Sequence, residues 1–242
     1  MTDNWTAIIV AKGLWQYTER CLNSMIATSS VRDVVYIDNG TPSDQNSAQD
    51  FADWQAAHSD VTCQVLVIPP HEIPWWPKPI MVGDALSACW NKGIDLAKGD
   101  RFLVLNNDVA FSQVGWLERF DGELNNPMCG VVGLNGMSWH GTGFVQGSIF
   151  GIRRDAWERV GRFDELLEFS CEEVDWNLRA QQIGFYIRSF EDLRGVIQHE
   201  DGITRRHYKD TEWWVMYKAH EARLRYCYKW APLDGQPISI ND

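Results

Sequence analysis

Asn106, Asn107 and Asp108 stand side by side where the apolar run of "RFLVLNNDVAF" (101–111) ends. One carboxylate between amide side chains offers oxygen ligands and donors with a single negative charge, which suits a hard divalent cation carried on a diphosphate. Asn and Asp also favour turns, so the triplet by itself reads equally as a strand-to-loop turn. A second group, Glu172, Glu173 and Asp175 in "CEEVDWNLR", opens a helix whose N-terminal dipole favours carboxylates, with Arg179 one turn further on. One of these carboxylates acts as a general base only if it lies within hydrogen-bond reach of a hydroxyl nucleophile. Otherwise the cluster is an acid-rich helix start. His199 ends the apolar run "GVIQH", and a lone histidine there is more often a packed or surface residue than a ligand. In "HEDGITRRH" the next histidine comes eight residues on, which excludes the helical zinc-protease spacing. "GTGFVQG" has the wrong spacing for a dinucleotide loop, and no GxxxxGK[ST] occurs.

The elements that must position these groups follow from hydrophobic period. "TAIIVA" (6–11) is a short β-branched run, and "YTERCLNSMI" spaces Cys21, Leu22, Met25 and Ile26 along one helical face. The unit recurs through "DVVYID" (33–38), "SDQNSAQDFADWQAAH", "VTCQVLVI" (61–68), "GDALSACWNKGIDLAKG" and "RFLVLNND". Four strands alternating with helices predict a mostly parallel, Rossmann-like α/β sheet flanked by helices. Ligands of such sheets collect beyond the carboxyl ends of the strands, where Asp38 and the 106–108 triplet would converge. After residue 111 come shorter strands ("GVVGL", "GSIFGI", "RGVIQH") and two helices, expected to form a smaller sheet region laid against the first. The proline-rich segment 69–82, with adjacent Trp75 and Trp76, is expected to be a shaped loop over the crevice and not a regular element. One domain is expected, with a nucleotide-side half (1–110), a second half (111–205) and a C-terminal aromatic and basic helix (206–242).

Composition narrows the class. The 22 basic against 33 acidic side chains give a net charge of −11, which repels polyanions and disfavours a general nucleic-acid grip. Six scattered cysteines without a CxxC pair read as reduced, mostly core thiols. Neither a leader pattern nor an apolar run of spanning length is seen, so a cytoplasmic setting is expected.

The order of segments is more specific than any one of them. "VVYIDNGTPSD", "ACWNKGIDLAKGDRFLVLNNDV", "GFVQGSIFGIRRDAWERVGRFDE", "CEEVDWNLRAQQIGF" and "QHEDG" together resemble the family 2 glycosyltransferases, over about residues 6–202. The resemblance implies a GT-A fold and metal-dependent, inverting transfer from a nucleoside-diphosphate sugar, UDP-sugars being favoured, to a hydroxyl acceptor such as a glycan or glycolipid. It implies that Asp38 reads the base, with Ala11 approaching it through the backbone and Asn91, Asn106 and Asn107 on the nucleotide side. Asp108 and His199 would hold Mn2+ or Mg2+. Asn106 replaces the first acid of the family's metal motif, leaving Asp108 its sole anionic ligand. Glu173 matches the catalytic base, with Glu172 beside it as the alternative.

The acceptor is expected near Trp75, Trp76, Trp139 and Gly147, although most of the 13 tryptophans should be core. The basic and aromatic stretch 205–230 is expected to touch the inner face of a membrane, or else to be a solvated helix against the sheet edge. Two further readings are transfer to modified bases of nucleic acid, and a non-catalytic carbohydrate-binding protein on a degenerate transferase fold.

Overall fold

The computed structural model describes residues 4–77, 79–135, 144–200 and 202–234. Its centre is a seven-stranded sheet in the order β10 (Tyr186–Phe190), β8 (Cys129–Asn135), β9 (Val145–Arg153), β6 (Arg101–Asn106), β1 (Trp5–Ala11), β2 (Asp33–Asn39) and β3 (Thr62–Ile68). The strands β1 (Trp5–Ala11), β2 (Asp33–Asn39), β3 (Thr62–Ile68) and β6 (Arg101–Asn106) run parallel. Their crossovers carry α1 (Trp15–Thr28), α2 (Ser47–Ala57) and α3 (Leu86–Leu96). Every residue of β1 and β2 is buried, which is why these strands read as continuous apolar runs and not as alternating ones. Along β1, Ala7, Ile9 and Ala11 enter one core with Cys21, Leu22 and Met25 of α1. Ile8 and Val10 enter the other, with Cys89, Trp90 and Ile94 of α3. The two-residue period of the strand and the helical period of α1 and α3 thus fill two layers with one sequence pattern.

Beyond β6 the chain adds β7 (Val109–Phe111), α4 (Trp116–Leu124), β8 (Cys129–Asn135), β9 (Val145–Arg153), α5 (Arg154–Val160), α6 (Glu172–Gln182) and β10 (Tyr186–Phe190). Of the expected smaller sheet region, β8, β9 and β10 instead extend the first sheet, while β7 pairs with the later strand Ile197–His199 in a separate two-stranded sheet. β9 pairs antiparallel with both β6 and β8, and β10 pairs parallel with β8. The free edge of β6 demands hydrogen-bond partners, and β9 supplies them.

The segment 69–82 also departs from expectation. It contains β4 (His71–Ile73) and β5 (Ile80–Val82), paired as a small antiparallel hairpin. Its prolines fall outside the paired residues, so none removes a ladder hydrogen bond. The chain closes with β11 (Ile197–His199), the short α7 (Ile203–His207) and the long α8 (Lys209–Asp234). All six cysteines are free thiols, four of them buried. No helix among the described residues is long and apolar enough to cross a membrane.

Candidate functional site

The carboxyl ends of β1 and β6 open into a cleft of about 290 Å3. Val10, Ala11 and Lys12 form one wall and Asn106, Asn107 and Asp108 another, while Val82 to Asp84 follow from the hairpin and His199 from β11. The register shows why Asp108 and His199 meet. β7 reverses direction after the turn at Asn107 and Asp108 and pairs with β11, setting His199 opposite Val109. The Glu200 N–H donates to the Asp108 carbonyl at 3.2 Å. His199 Nε2 consequently lies 3.2 Å from Asp108 Oδ1 and 3.5 Å from the amide nitrogen of Asn106.

Asp108 Oδ1 is buried and, apart from the facing His199 Nε2, has no hydrogen-bond partner among the described residues. An orphaned buried carboxylate oxygen is costly unless something cationic satisfies it. A carboxylate oxygen and an imidazole nitrogen converging at this distance fit a divalent cation that tolerates mixed oxygen and nitrogen ligands, Mn2+ better than Mg2+. No cluster of three or more His, Cys, Asp or Glu able to hold a metal occurs among the described residues. A cation here would therefore draw its remaining ligands from a bound anion and water.

The other expected nucleotide contacts divide. Ala11 and Asn106 line the cleft. Asn107 lines it too, but its amide donates to Thr18 Oγ1 at 3.1 Å, tying the strand end to α1. Asp38 is 5% exposed and is not among the residues walling the cleft. Its carboxylate takes the Thr41 hydroxyl, and Thr41 Oγ1 in turn accepts the Gly13 N–H at 2.7 Å. Burial raises the Asp38 pKa, and the Thr41 hydrogen bonds oppose that rise. Gly13 has φ +55°, and a Cβ there would push aside the ends of the Gln45 and Tyr208 side chains, so glycine suits this turn.

Asn91 is not at the cleft. It is fully buried, and its amide bridges the Phe163 N–H (3.0 Å), the Phe163 carbonyl (3.1 Å) and Glu165 (2.8 Å). Its buried amide finds partners in the backbone of the loop before α6, so its role is to pin that loop to α3.

Glu172 and Glu173 begin α6, after Cys171, which holds a left-handed φ of 70°. Glu172 is 3% exposed and its Oε2 has no hydrogen-bond partner among the described residues. Burial raises its pKa well above the ordinary range, and neighbouring Glu173 adds to the rise. Glu173 is half-buried. Burial raises its pKa as well, against the N–H groups of Gly147 and the first turn of α6, which donate to its carboxylate. A Cβ on Gly147 would lie 3.1 Å from Glu173 Oε1. The expected acceptor residue Gly147 is thus the floor on which Glu173 rests. Neither glutamate walls the cleft, but Phe169, three residues before Glu172, does.

Asp175, also in the first turn, is fully buried. It pairs with Arg179 at 2.9 Å and Lys229 at 2.7 Å, and accepts from Trp230 Nε1 at 3.0 Å. It anchors α8 on α6.

Trp75 and Trp76 pack edge-on against Trp214 of α8, with ring centroids 5.4 and 5.2 Å away. Trp214 lines the cleft, whereas Trp75 is 66% exposed. Trp139 lies outside the described residues. Most other tryptophans are core, Trp90, Trp116 and Trp176 completely.

Sequence reasoning missed the fourth wall, formed by Gly202, Ile203, Thr204, Thr211, Trp214 and Val215. Apart from Gly202, which ends "QHEDG", these residues carry no motif. It also missed Lys12, the one lysine or arginine among the described lining residues, whose Nζ donates to the Met81 carbonyl at 3.1 Å and lies 5.1 Å from the Tyr208 ring centroid. A lysine just past the end of a central parallel strand was a usable signal.

No protein-family model matches the sequence, and no curated protein is significantly similar to it. Solved structures are similar in fold. A mannosyltransferase from Pyrobaculum calidifontis, solved with GDP-Man and Mn2+, superposes with a TM-score of 0.63 at 15% identity, over 80% of this chain and 56% of that one. GalNAc-T7, solved with UDP, GalNAc and Mn2+, gives 0.61 at 13% identity, over 76% and 41%. S. aureus TarS, whose 1–349 fragment was solved with UDP-GlcNAc, gives 0.55 at 13%, over 78% and 56%. The chain therefore spans about half the length of these proteins and has the GT-A glycosyltransferase fold, as its segment order implied.

Proposed function

We propose that this chain is a divalent-metal-dependent glycosyltransferase of the family 2 type, moving a sugar from a nucleoside-diphosphate donor to a hydroxyl acceptor with inversion. The observation that carries the reading is the buried Asp108 carboxylate oxygen, whose one close polar neighbour among the described residues is His199 Nε2 at 3.2 Å, in a cleft at the strand ends. Lys12, its ammonium partly desolvated and its pKa lowered by burial, suits the donor's phosphate charge. When bound, a Mn2+ ion held by Asp108 and His199 supplies the positive charge that makes the diphosphate a tolerable leaving group.

Glu173 accepts the proton of the attacking hydroxyl as that oxygen bonds to the anomeric carbon and the carbon–diphosphate bond breaks. Its seat on the Gly147 N–H fixes the carboxylate in one orientation. A raised pKa is what a base working near neutral pH requires.

Calorimetric titration with UDP and with GDP, each with and without Mn2+, tests the donor site. One diphosphate binding only with Mn2+, and weakening at least about tenfold (~1.4 kcal/mol) in Asp108→Asn, is the expected result. Folded protein that binds neither diphosphate, or binds one equally without metal, overturns the reading. Turnover of the sugar nucleotide that survives Glu173→Gln removes Glu173 from the base position.

A further inference from the structure

Most polar side chains that wall the cleft already have partners. Asn39 gives its amide to the backbone of Asp84, donating to the carbonyl at 3.0 Å and accepting the N–H at 2.8 Å. Asn107 is tied to Thr18, Asn106 faces His199, and the Thr211 hydroxyl donates to the Tyr208 carbonyl at 2.8 Å. Asp84 differs. With Asp108 it is one of two carboxylates among the described lining residues. Lys92 takes its Oδ2, and its Oδ1 has no hydrogen bond or ion pair among the described residues. Asp84 is therefore fixed through its backbone by Asn39 and through one oxygen by Lys92, with the other acceptor oxygen unused.

The strand period tells which part of a donor this carboxylate faces. Val35 and Ile37 of β2 enter the core shared with α3, and Val34 and Tyr36 enter the one shared with α1. Alternation carries Asp38 to the α1 side and Asn39 to the α3 side. Their partners agree, since Asp38 meets Thr41 and through it Gly13 before α1, while Asn39 meets Asp84 before α3. α6 packs on that same α3 side through Trp176 and Ala180. The Leu86 N–H donates to the Glu168 carbonyl at 3.0 Å, joining the start of α3 to the loop that leads into Glu172 and Glu173. Asp84 and Glu173 thus stand on one side of the sheet and Asp38 on the other. A base takes a proton only from a hydroxyl within its reach, so the sugar which that hydroxyl attacks belongs on the α3 and α6 side.

We propose that Asp84 reads the hydroxyls of the transferred sugar and selects a neutral sugar over an acidic one. An ionised carboxylate accepts charge-assisted hydrogen bonds from hydroxyl groups and repels a second carboxylate, so one group supplies both the attraction and the rejection. A uronic acid would bring a further carboxylate beside Asp84, whose cation Lys92 is already paired. The assignment rests on the transferase reading and names the sugar class for it.

Calorimetry on the full chain with Mn2+ tests it, using UDP, GDP and two matched pairs of probes: UDP-glucose with UDP-glucuronic acid, and GDP-mannose with GDP-mannuronic acid. In the pair whose diphosphate binds, wild type is expected to hold the neutral member about tenfold or more tighter than the acidic one. Asp84→Asn should close most of that gap while binding the diphosphate alone as wild type does. Lys92→Met removes the ion partner but keeps the carboxylate, so the gap should persist or widen. A wild type with no gap overturns the proposal, as does a gap that Asp84→Asn leaves intact. So does a gap lost equally in Lys92→Met, or an equal loss of sugar nucleotide and free diphosphate in Asp84→Asn, either of which would mean that Asp84 only shapes the start of α3. Wild type that binds neither UDP nor GDP removes the transferase reading and this assignment together, whereas diphosphate binding with an unaltered gap in Asp84→Asn removes this assignment alone.

Discussion

At the scale of single residues, the distance between Gly147 and Glu173 decides the most direct experiment. A methyl at 147 would sit 3.1 Å from Glu173 Oε1, closer than the carboxylate accepts without shifting, and at an ordinary 3.5 Å from the Trp90 ring. Trp90 is completely buried, so the carboxylate is the group that yields. Gly147→Ala is therefore expected to lower kcat by about ten- to a hundredfold while leaving the melting temperature and diphosphate affinity near wild type, because a small misplacement of a base is expensive in rate. Unchanged kcat would mean that Glu173 does not work from this seat. The two glutamates also predict opposite signs for activity and stability. Both carboxyls hold their protons more tightly folded than unfolded, since burial raises each pKa. Rate should accordingly rise with pH through a value above the ordinary Glu range of about 4.3. The stability they contribute is complete below that ordinary value and lost as pH rises through the raised one. Glu172→Gln, by removing a buried ionisable group that has an unpartnered oxygen, should flatten the fall in stability on the alkaline side without abolishing turnover. Thermal melts across pH would expose the opposite outcome, a fall as steep as wild type.

At the scale of elements, α8 is a clasp on α6. Lys229 bridges Asp175 and Asp164 at 2.7 and 2.9 Å, and Lys218 holds Glu168 at 2.7 Å in the loop that leads into the base pair. Burial alone would lower the Lys229 pKa, yet the two carboxylates more than offset it. Lys229→Met leaves the buried Asp175 with Arg179 and Trp230 only. A loss of about 1–2 kcal/mol in denaturant unfolding is expected, less than for a fully buried pair because Lys229 is partly solvated, with Lys229→Arg restoring part of it. No loss in Lys229→Met would reduce the bridge to a surface ornament. These same elements show what sequence could and could not disclose. The central strands were legible because β1, β2 and β6 are buried on both faces and their composition announces it. That Asp108 follows a strand, His199 ends one and Glu173 opens a helix was legible from the apolar runs and the acidic helix start beside them. Asn91 belongs to the same order yet packs the loop at Phe163, because an amide's partners depend on tertiary approach and not on spacing. Asp38 is likewise absorbed by Thr41, three residues on. The hairpin 71–82 escaped because strands of three residues leave no period to detect. The wall from 203–215 escaped because contact across the cleft follows from where α8 docks.

At the scale of the whole molecule, stability should grade from the sheet centre outward, and the cleft straddles that gradient. One rim is β1 and β6, whose residues are almost all buried. The other is the short hairpin, packed through Ile73, Ile80 and Val82 on Trp214 and held by the Lys12 contact with Met81, together with the five-residue α7. Small elements at a cavity edge open locally at far lower cost than the global unfolding free energy. Amide exchange in the free protein should therefore be slowest in β1, β2 and β6 and fast in 71–82 and 203–208. A ligand that binds between a rigid and a mobile rim lowers the free energy of the closed arrangement only, so it slows exchange where opening breaks its contacts. Mn2+ with the cognate diphosphate is thus expected to protect 80–84 and 203–208 by about an order of magnitude or more, leaving the sheet centre unaltered. Mn2+ alone should do much less, because Asp108 and His199 supply only two ligands and a cation bound by them has no bridge to the mobile rim. Protection limited to 106–108, with the hairpin and α7 exchanging as before, would show that the donor engages the strand ends without closing the C-terminal wall. It would then assign the wall to the acceptor alone.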